Sequence, residues 1–284
     1  MNTITVTNKA RLAFKTGRIF YGISMIAFGV QQLIIRDFRP EILPPFPSWA
    51  HHHAIFPYLT GIALIIAGTV IAGFVRTKEE SFKRVCFFTG SYFLMLTLFC
   101  QVIYNLFINP NKIIHLGLWA ETLKDLAYAG GGFVLADSAT ENFIVNNQPA
   151  RKTLFEILLS FGRIFFATTI ILYGYCHFLY TGFISQMVPK WFGVPVFWTY
   201  FAGICLMGSG ICIAFKIFVR PIAGLLALML FLWFILLHVP DAIANPYLGK
   251  GDEIVSAFDA LQFCGVALII AYSKSFFQTK ALEH

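Results

Sequence analysis

Long apolar runs are the feature that most constrains this chain. Eight of them are each close to the roughly 20 residues that a helix needs to cross the hydrocarbon core of a bilayer. We expect helices near 17–35, 55–75, 85–107, 121–138, 158–180, 196–217, 219–240 and 256–273. Because only helices and closed barrels satisfy every backbone group in lipid, these runs predict an all-α, polytopic membrane protein with eight transmembrane helices.

The composition supports a surface that faces lipid. Charged residues make up 12% of the 284 residues and hydrophobic residues 58%, with a mean hydropathy of +0.72. A soluble domain has about 25% charged residues, so this chain has too few charges to cover a water-facing surface. The net charge of +7 does not indicate nucleic-acid binding, because no basic block with interleaved aromatic residues is present.

The distribution of basic residues predicts the orientation. Five of the 21 Lys and Arg residues lie in one set of loops and one, Lys124, begins a helix. The remaining fifteen lie in the opposite segments. The positive-inside rule therefore places both termini in the cytoplasm, as an even number of spans requires, and we expect a bacterial inner-membrane location. The N-terminal segment lacks a signal-peptide cleavage site, so we expect it to be cytoplasmic. The last residues, 282–284, resemble the start of a vector-derived tag and receive no functional role.

The phrase GRIF occurs twice, at residues 17–20 and 162–165, each time at the head of an apolar run. Further matches between the two halves follow at offsets that drift from 145 to 135, among them Gly29 with Gly174 and Ala136 with Ala271. The chain is therefore expected to consist of two four-helix membrane repeats, residues 1–145 and 146–284. Each repeat has four spans, so both insert in the same direction, as parallel repeats arranged as two four-helix bundles.

Metal and thiol motifs are weak in this sequence. The six cysteines all lie in apolar runs without a C-x-x-C pair, which favours packing over thiol–disulfide exchange. His51, His52 and His53 are consecutive, and three consecutive side chains on a helix cannot converge on one metal. We interpret them as surface histidines and expect no metal site at this loop.

Polar residues inside the spans collect near the outer helix ends. Such residues are costly in lipid, so their positions indicate either function or wet helix termini. We expect two outward-facing polar cups, one per half. The first would contain Gln32, Asn105, Lys124 and Asp125; the second would contain His177, His238, Asp241 and Asp259. Only the second has histidines and carboxylates that exchange protons near neutral pH.

Three interpretations of these residues remain open at this stage. Asp125 and Asp259 lie in first helical turns, where a carboxylate is favourable without any function, and Lys124 can extend to the interface. The alternatives are a polar ligand pocket and a metal or haem held by His177 and His238.

Several segments resemble the DoxX-like family of bacterial membrane proteins. KDLAYAGGGFVLA at 124–136 is similar to the fourth helix of that family. GYCHFLYTGFISQMVPKWFG at 174–193 and FWTYFAGICLMGSG at 197–210 are similar to its first-helix histidine, proline-containing outer loop and glycine-rich second helix. Each half resembles one family unit, although Gln32 stands where the second half has His177. The resemblance implies a four-helix membrane bundle associated with redox chemistry, including subunits of quinone-linked oxidoreductases.

Three functions follow as hypotheses. The first is a redox-associated membrane subunit or quinone-proximal binding module with a membrane or periplasmic oxidoreductase as its partner. The second is a carrier or chaperone for a small lipid or hydrophobic metabolite, and the third is a non-catalytic scaffold for a partner protein. No catalytic motif of its own is present, and quinone is the ligand that the resemblance suggests.

Overall fold

The computed structural model describes residues 2–39, 42–108, 110, 114–138 and 154–273, and every long element among them is a helix. The helices are α1 (Asn2–Ile35), α2 (Ser48–His52), α3 (Ile55–Ala72), α4 (Glu79–Met95), α5 (Ala120–Ser138), α6 (Leu154–Leu179), α7 (Thr181–Ile184), α8 (Pro195–Ala214), α9 (Val219–Trp233), α10 (Val239–Ala244) and α11 (Asp252–Tyr272). The described residues contain no β-strand, so the all-α prediction is confirmed.

Seven helical stretches in the described part of the chain are long and apolar enough to cross a membrane. They are Asn8–Ile35, Ile55–Ala72, Glu79–Ile108, Leu159–Leu179, Pro195–Ala214, Val219–Ala244 and Asp252–Tyr272. The predicted span at 121–138 corresponds to α5 and is not among these seven. Four of its 19 residues are charged: Glu121, Lys124, Asp125 and Asp137.

Helices α5 and α11 form the centre of the molecule. Thirteen of the 19 residues of α5 and 14 of the 21 residues of α11 are buried, and the two helices contact each other. The outer helices instead expose large apolar side chains, for example Ile66, Phe88 and Leu225, each at least 58% exposed. Apolar helices with this exposure are consistent with contact to a lipid bilayer. The position of α5 explains its charges, because a central helix does not need an apolar face toward lipid.

The helix contacts link the two halves of the chain. Within each half, the first long helix packs on the second and the third on the fourth, as α1 on α3 and α4 on α5, then α6 on α8 and α9 on α11. Between the halves, α1 packs along α11 and α6 along α5. The first helix of each half therefore contacts the last helix of the other half, and one hydrophobic core runs through both. The division at residues 145 and 146 falls in a segment outside the described residues and stays a prediction.

Glycines allow these contacts between the halves. A methyl group added at Gly17 would lie 2.7 Å from the carbonyl oxygen of Gly265, and one added at Gly162 would lie 2.7 Å from that of Gly130. Helices approach this closely only where neither carries a Cβ at the crossing point. The glycine of each GRIF phrase thus lies at the contact with the last helix of the other half.

The arginines of the two GRIF phrases donate hydrogen bonds to carbonyl groups at the C-terminal ends of neighbouring helices. Arg18 Nε donates a hydrogen bond of 3.1 Å to the carbonyl of Ile71, near the end of α3. Arg163 Nη1 donates to the carbonyls of Ile213 and, at 2.7 Å, Ala214, at the end of α8. The last carbonyls of a helix lack partners within that helix, so each arginine stabilises a helix C-terminus.

Candidate functional site

The predicted outer ends of the helices meet at one end of the bundle. The loop after α1 contacts the loop before α11: Arg39 Nη2 lies 2.8 Å from Asp252 Oδ1, and Arg39 Nη1 donates to the Gly249 carbonyl at 3.0 Å. Gln31 Nε2 donates to the Gly251 carbonyl, also at 3.0 Å. These contacts join the end of α1 and the loop after it to the start of α11.

A largely buried ion pair links α5 and α11. Lys124 Nζ lies 3.0 Å from Asp259 Oδ2 and 3.1 Å from Glu121 Oε2. The Asp259 side chain is only 10% exposed, and its Oδ1 accepts a hydrogen bond from the Tyr128 hydroxyl. We call Glu121, Lys124, Tyr128 and Asp259 the central cluster. It joins α5 of the first half to α11 of the second. The sequence had suggested that Lys124 and Asp259 belong to two separate cups, but the two side chains form an ion pair.

Helical periodicity explains how these side chains meet. Glu121, Lys124 and Tyr128 are three and four residues apart, so they share one face of α5. Lys124 and Asp259 are 135 residues apart, the offset that relates the ends of α5 and α11. Equivalent positions in the two central helices therefore carry opposite charges and face each other.

Further buried polar side chains lie next to Tyr128 of the central cluster. The Tyr21 hydroxyl donates a hydrogen bond of 2.7 Å to the carbonyl of Tyr128. The Gln262 amide, one turn beyond Asp259, is fully buried and lies beside the Tyr21 hydroxyl. Both side chains are fully buried, so the interior next to Tyr128 contains further polar groups.

The first-half residues occupy the side of the central cluster that faces α3 and α4. Gln32 is fully buried and donates to the Thr60 hydroxyl at 3.0 Å, and Asn105 Nδ2 donates to the Thr122 hydroxyl at 3.0 Å. Asp125 is fully buried, on the side of α5 toward Tyr92 of α4. These side chains mainly connect helices within the first half.

The second-half histidines occupy the other side. His177 Nδ1 lies 2.8 Å from the carbonyl of Tyr173, and its ring stacks on Trp233 with 5.9 Å between ring centroids. His238 is within electrostatic range of both Asp241 and Lys124.

Wide helical turns position residues on both sides of the central cluster. α4 continues into π-helical segments at Leu96–Gln101 and Tyr104–Ile108, and α9 continues into one at Phe234–His238. These segments occur in the third long helix of each half and place Asn105 and His238 near the cluster. Such turns are frequent at functional sites, and hydropathy alone does not reveal them.

No group of three His, Cys, Asp or Glu side chains in the described part of the chain could hold a metal ion. A metal or haem held by the pair His177 and His238 stays a prediction. His51 has a structural role: its Nδ1 lies 2.9 Å from Asp37 Oδ1, and its Nε2 lies 2.7 Å from the Pro44 carbonyl. His51 therefore stabilises the segment between α1 and α3.

Sequence reasoning missed Glu121 and Tyr128 as site residues. Their spacing from Lys124 on one helical face was the available signal, because side chains three and four residues apart on a helix can pair with a lysine in an otherwise apolar run. Tyr21 and Gln262 had no comparable signal, since their role depends on which helices are neighbours.

Comparison with protein-family models, with curated proteins and with solved structures finds no match to this chain.

Proposed function

We propose that this chain is a bacterial inner-membrane protein of DoxX-like architecture that binds a quinone at the central cluster for a partner oxidoreductase. It has eight spans in two parallel repeats, with both termini in the cytoplasm. The observation that carries the proposal is the Lys124–Asp259 ion pair, hydrogen-bonded to Tyr128 at the contact between the two halves.

The energetic cost of this pair argues for a function. Moving each ion from water into a low-dielectric interior costs several kcal/mol, and a buried pair recovers that cost only with good geometry. A well-packed apolar pair of the same volume would serve packing at least as well. Ionisable side chains that lie between membrane helices are therefore functional candidates, and here they lie in the predicted outer third of the bilayer.

The chemistry of the central cluster suits a quinone head group. A Lys124 ammonium donates hydrogen bonds and stabilises negative charge on a quinone carbonyl oxygen. Asp259 and Tyr128 form a hydrogen-bonded pair that can take up or release a proton. Reduction of a quinone to a quinol consumes two electrons and two protons; the partner oxidoreductase supplies the electrons, and this chain binds the head group and transfers protons. The stacked His177 and Trp233 rings provide an aromatic surface nearby.

Quinone binding tests the proposal directly. Purified protein titrated with a short-chain ubiquinone analogue should show quenching of tryptophan fluorescence. The Lys124→Met, Asp259→Leu double variant should bind at least about tenfold more weakly, since it removes the charged donor and its partner, a loss of about 1.4 kcal/mol or more. His238→Ala should weaken binding as well.

Lys190→Met is the matched control, because Lys190 is exposed near the start of α8 and has no ion pair among the described residues. It should bind the analogue like the wild type. Equal binding by the double variant, or no binding by folded wild-type protein, would reject the proposal. A retained lipid without quinone in native mass spectrometry would instead favour the carrier hypothesis.

The orientation has a separate test. In intact spheroplasts, an impermeant maleimide should label a His52→Cys variant more strongly than wild-type protein, because His52 is exposed in the predicted outer loop. A Thr77→Cys variant, on the opposite side, should show only the background of the native cysteines until the membrane is opened. The reverse labelling pattern would overturn the predicted orientation.

A further inference from the structure

A cleft of about 400 Å³ lies at the end of the bundle opposite the central cluster. It is bounded by α1, the loop between α3 and α4, and the start of α4. Its lining combines apolar side chains, among them Phe14, Val75 and Phe82, with the cations Arg18 and Arg76. In the predicted orientation this is the cytoplasmic edge of the membrane.

The two arginines of the cleft have unused donors among the described residues. Arg18 donates through Nε to the Ile71 carbonyl and lies over the Phe82 ring, 4.2 Å from its centroid, whereas no hydrogen bond of its Nη atoms is seen there. Arg76 is exposed and makes no hydrogen bond or ion pair in the described part of the chain. Arg163, the equivalent of Arg18 in the second half, uses Nη1 on two α8 carbonyls.

The side chains that line the cleft suit the binding of a phosphodiester group. Guanidinium groups bind phosphate oxygens through paired N–H donors, and Thr77, which carries a hydroxyl group, also lines the cleft. Glu79 also lines the cleft and can accept a hydrogen bond from a headgroup hydroxyl or ammonium.

The surroundings favour a lipid over a free phosphate. Phe74, which lies between the lining residues Gly73 and Val75, is 61% exposed, so apolar surface continues outward from the cleft. A ligand with a phosphate head and acyl chains would cover both kinds of surface, and basic pockets between membrane helices on the cytoplasmic side bind such headgroups.

We propose that this cleft binds the phosphodiester headgroup of a membrane phospholipid, with Arg18 and Arg76 as its phosphate ligands. The proposal requires that the helices cross a bilayer, and it does not depend on the quinone function. Failure of quinone binding would leave it intact, because the two sites lie at opposite ends of the bundle.

Arg76→Gln tests the site, since Arg76 is exposed and makes no hydrogen bond or ion pair in the described part of the chain. Delipidated protein in micelles is titrated with phosphatidylglycerol and the bound lipid is counted by native mass spectrometry. We expect Arg76→Gln to weaken lipid binding about fivefold or more, which corresponds to about 1 kcal/mol for a basic residue at the membrane surface. Arg84→Gln is the control, because Arg84 is an exposed cation of α4 outside the cleft lining.

Three results would overturn the proposal. An equal loss of lipid binding in Arg76→Gln and Arg84→Gln would show that only overall charge matters. Lipid binding equal to that of the wild type in both variants would show that Arg76 is not a phosphate ligand. Displacement of the lipid by millimolar inorganic phosphate would assign the cleft to a soluble phosphate. Retention of the lipid at that phosphate concentration, with the loss confined to Arg76→Gln, would support the phospholipid site.

Discussion

Lys124→Met is expected to cost about 3–5 kcal/mol in free energy of unfolding, because it leaves the buried Asp259 carboxylate without its cation. Asp259 is 10% exposed in the ion pair and would retain only the hydrogen bond from Tyr128. The measurement is unfolding of the purified protein in mixed micelles, followed by tryptophan fluorescence during an SDS titration.

The double variant distinguishes a paired charge from simple packing. Lys124→Met with Asp259→Leu removes both charges of the pair at similar volume, so it should be more stable than Lys124→Met alone. It should stay less stable than the wild type, because the Tyr128 hydroxyl and Glu121 lose their partners. Arg84→Met is the matched control: its ion pair with Glu80 is 69% and 65% exposed, so its loss should change stability by less than about 1 kcal/mol. If Lys124→Met behaves like Arg84→Met, or if the double variant is no more stable than the single one, the ion pair is not the buried contact described above.

Gly162→Val is the second variant with a large expected effect. The first carbon added at Gly162 would meet the Gly130 carbonyl oxygen at 2.7 Å and the Val134 backbone nitrogen at 3.0 Å. Backbone atoms cannot move aside without shifting α5 or α6, and overpacking of this kind costs about 1–3 kcal/mol or more. The same SDS titration should show reduced stability of the contact between the halves.

Gly208 provides the opposite expectation. A methyl group at Gly208 would have no neighbour within 4 Å, and α8 is helical there. Gly208→Ala should be neutral or up to about 1 kcal/mol stabilising, because alanine has the higher helix propensity. Equal destabilisation by Gly162→Ala and Gly208→Ala would contradict the close approach of α5 and α6.

Most of the helices could be predicted from the chain alone. The expected span at 55–75 corresponds to α3 at Ile55–Ala72, and the span at 256–273 corresponds to α11 at Asp252–Tyr272. Hydropathy was sufficient because a long apolar helix satisfies its backbone hydrogen bonds internally, so its existence depends on local composition. α5 was recovered for the same reason, although its four charges set it apart from the seven apolar stretches.

The candidate site could be predicted only in part. His177, Asp259 and Lys124 were selected because polar residues in apolar runs are costly, and the structure places all three near the same end of the bundle. The pairing of Lys124 with Asp259, by contrast, required knowing that α5 contacts α11 across the two halves. The π-helical turns that place Asn105 and His238 were equally hidden, since they do not change the hydropathy of the run.

The sequence by itself thus determined which segments are helices and which of their residues are too polar for lipid. Both properties depend on the composition of a continuous run of about 20 residues, which is local in the chain. Only the tertiary structure decided the neighbours: that Gly17 meets Gly265, that Gly162 meets Gly130, and that Lys124 faces Asp259. Lipid is as apolar as a leucine side chain, so hydrophobicity does not select helix partners in a membrane. Close approach at small residues and satisfaction of buried polar groups make that selection, and both require the three-dimensional arrangement.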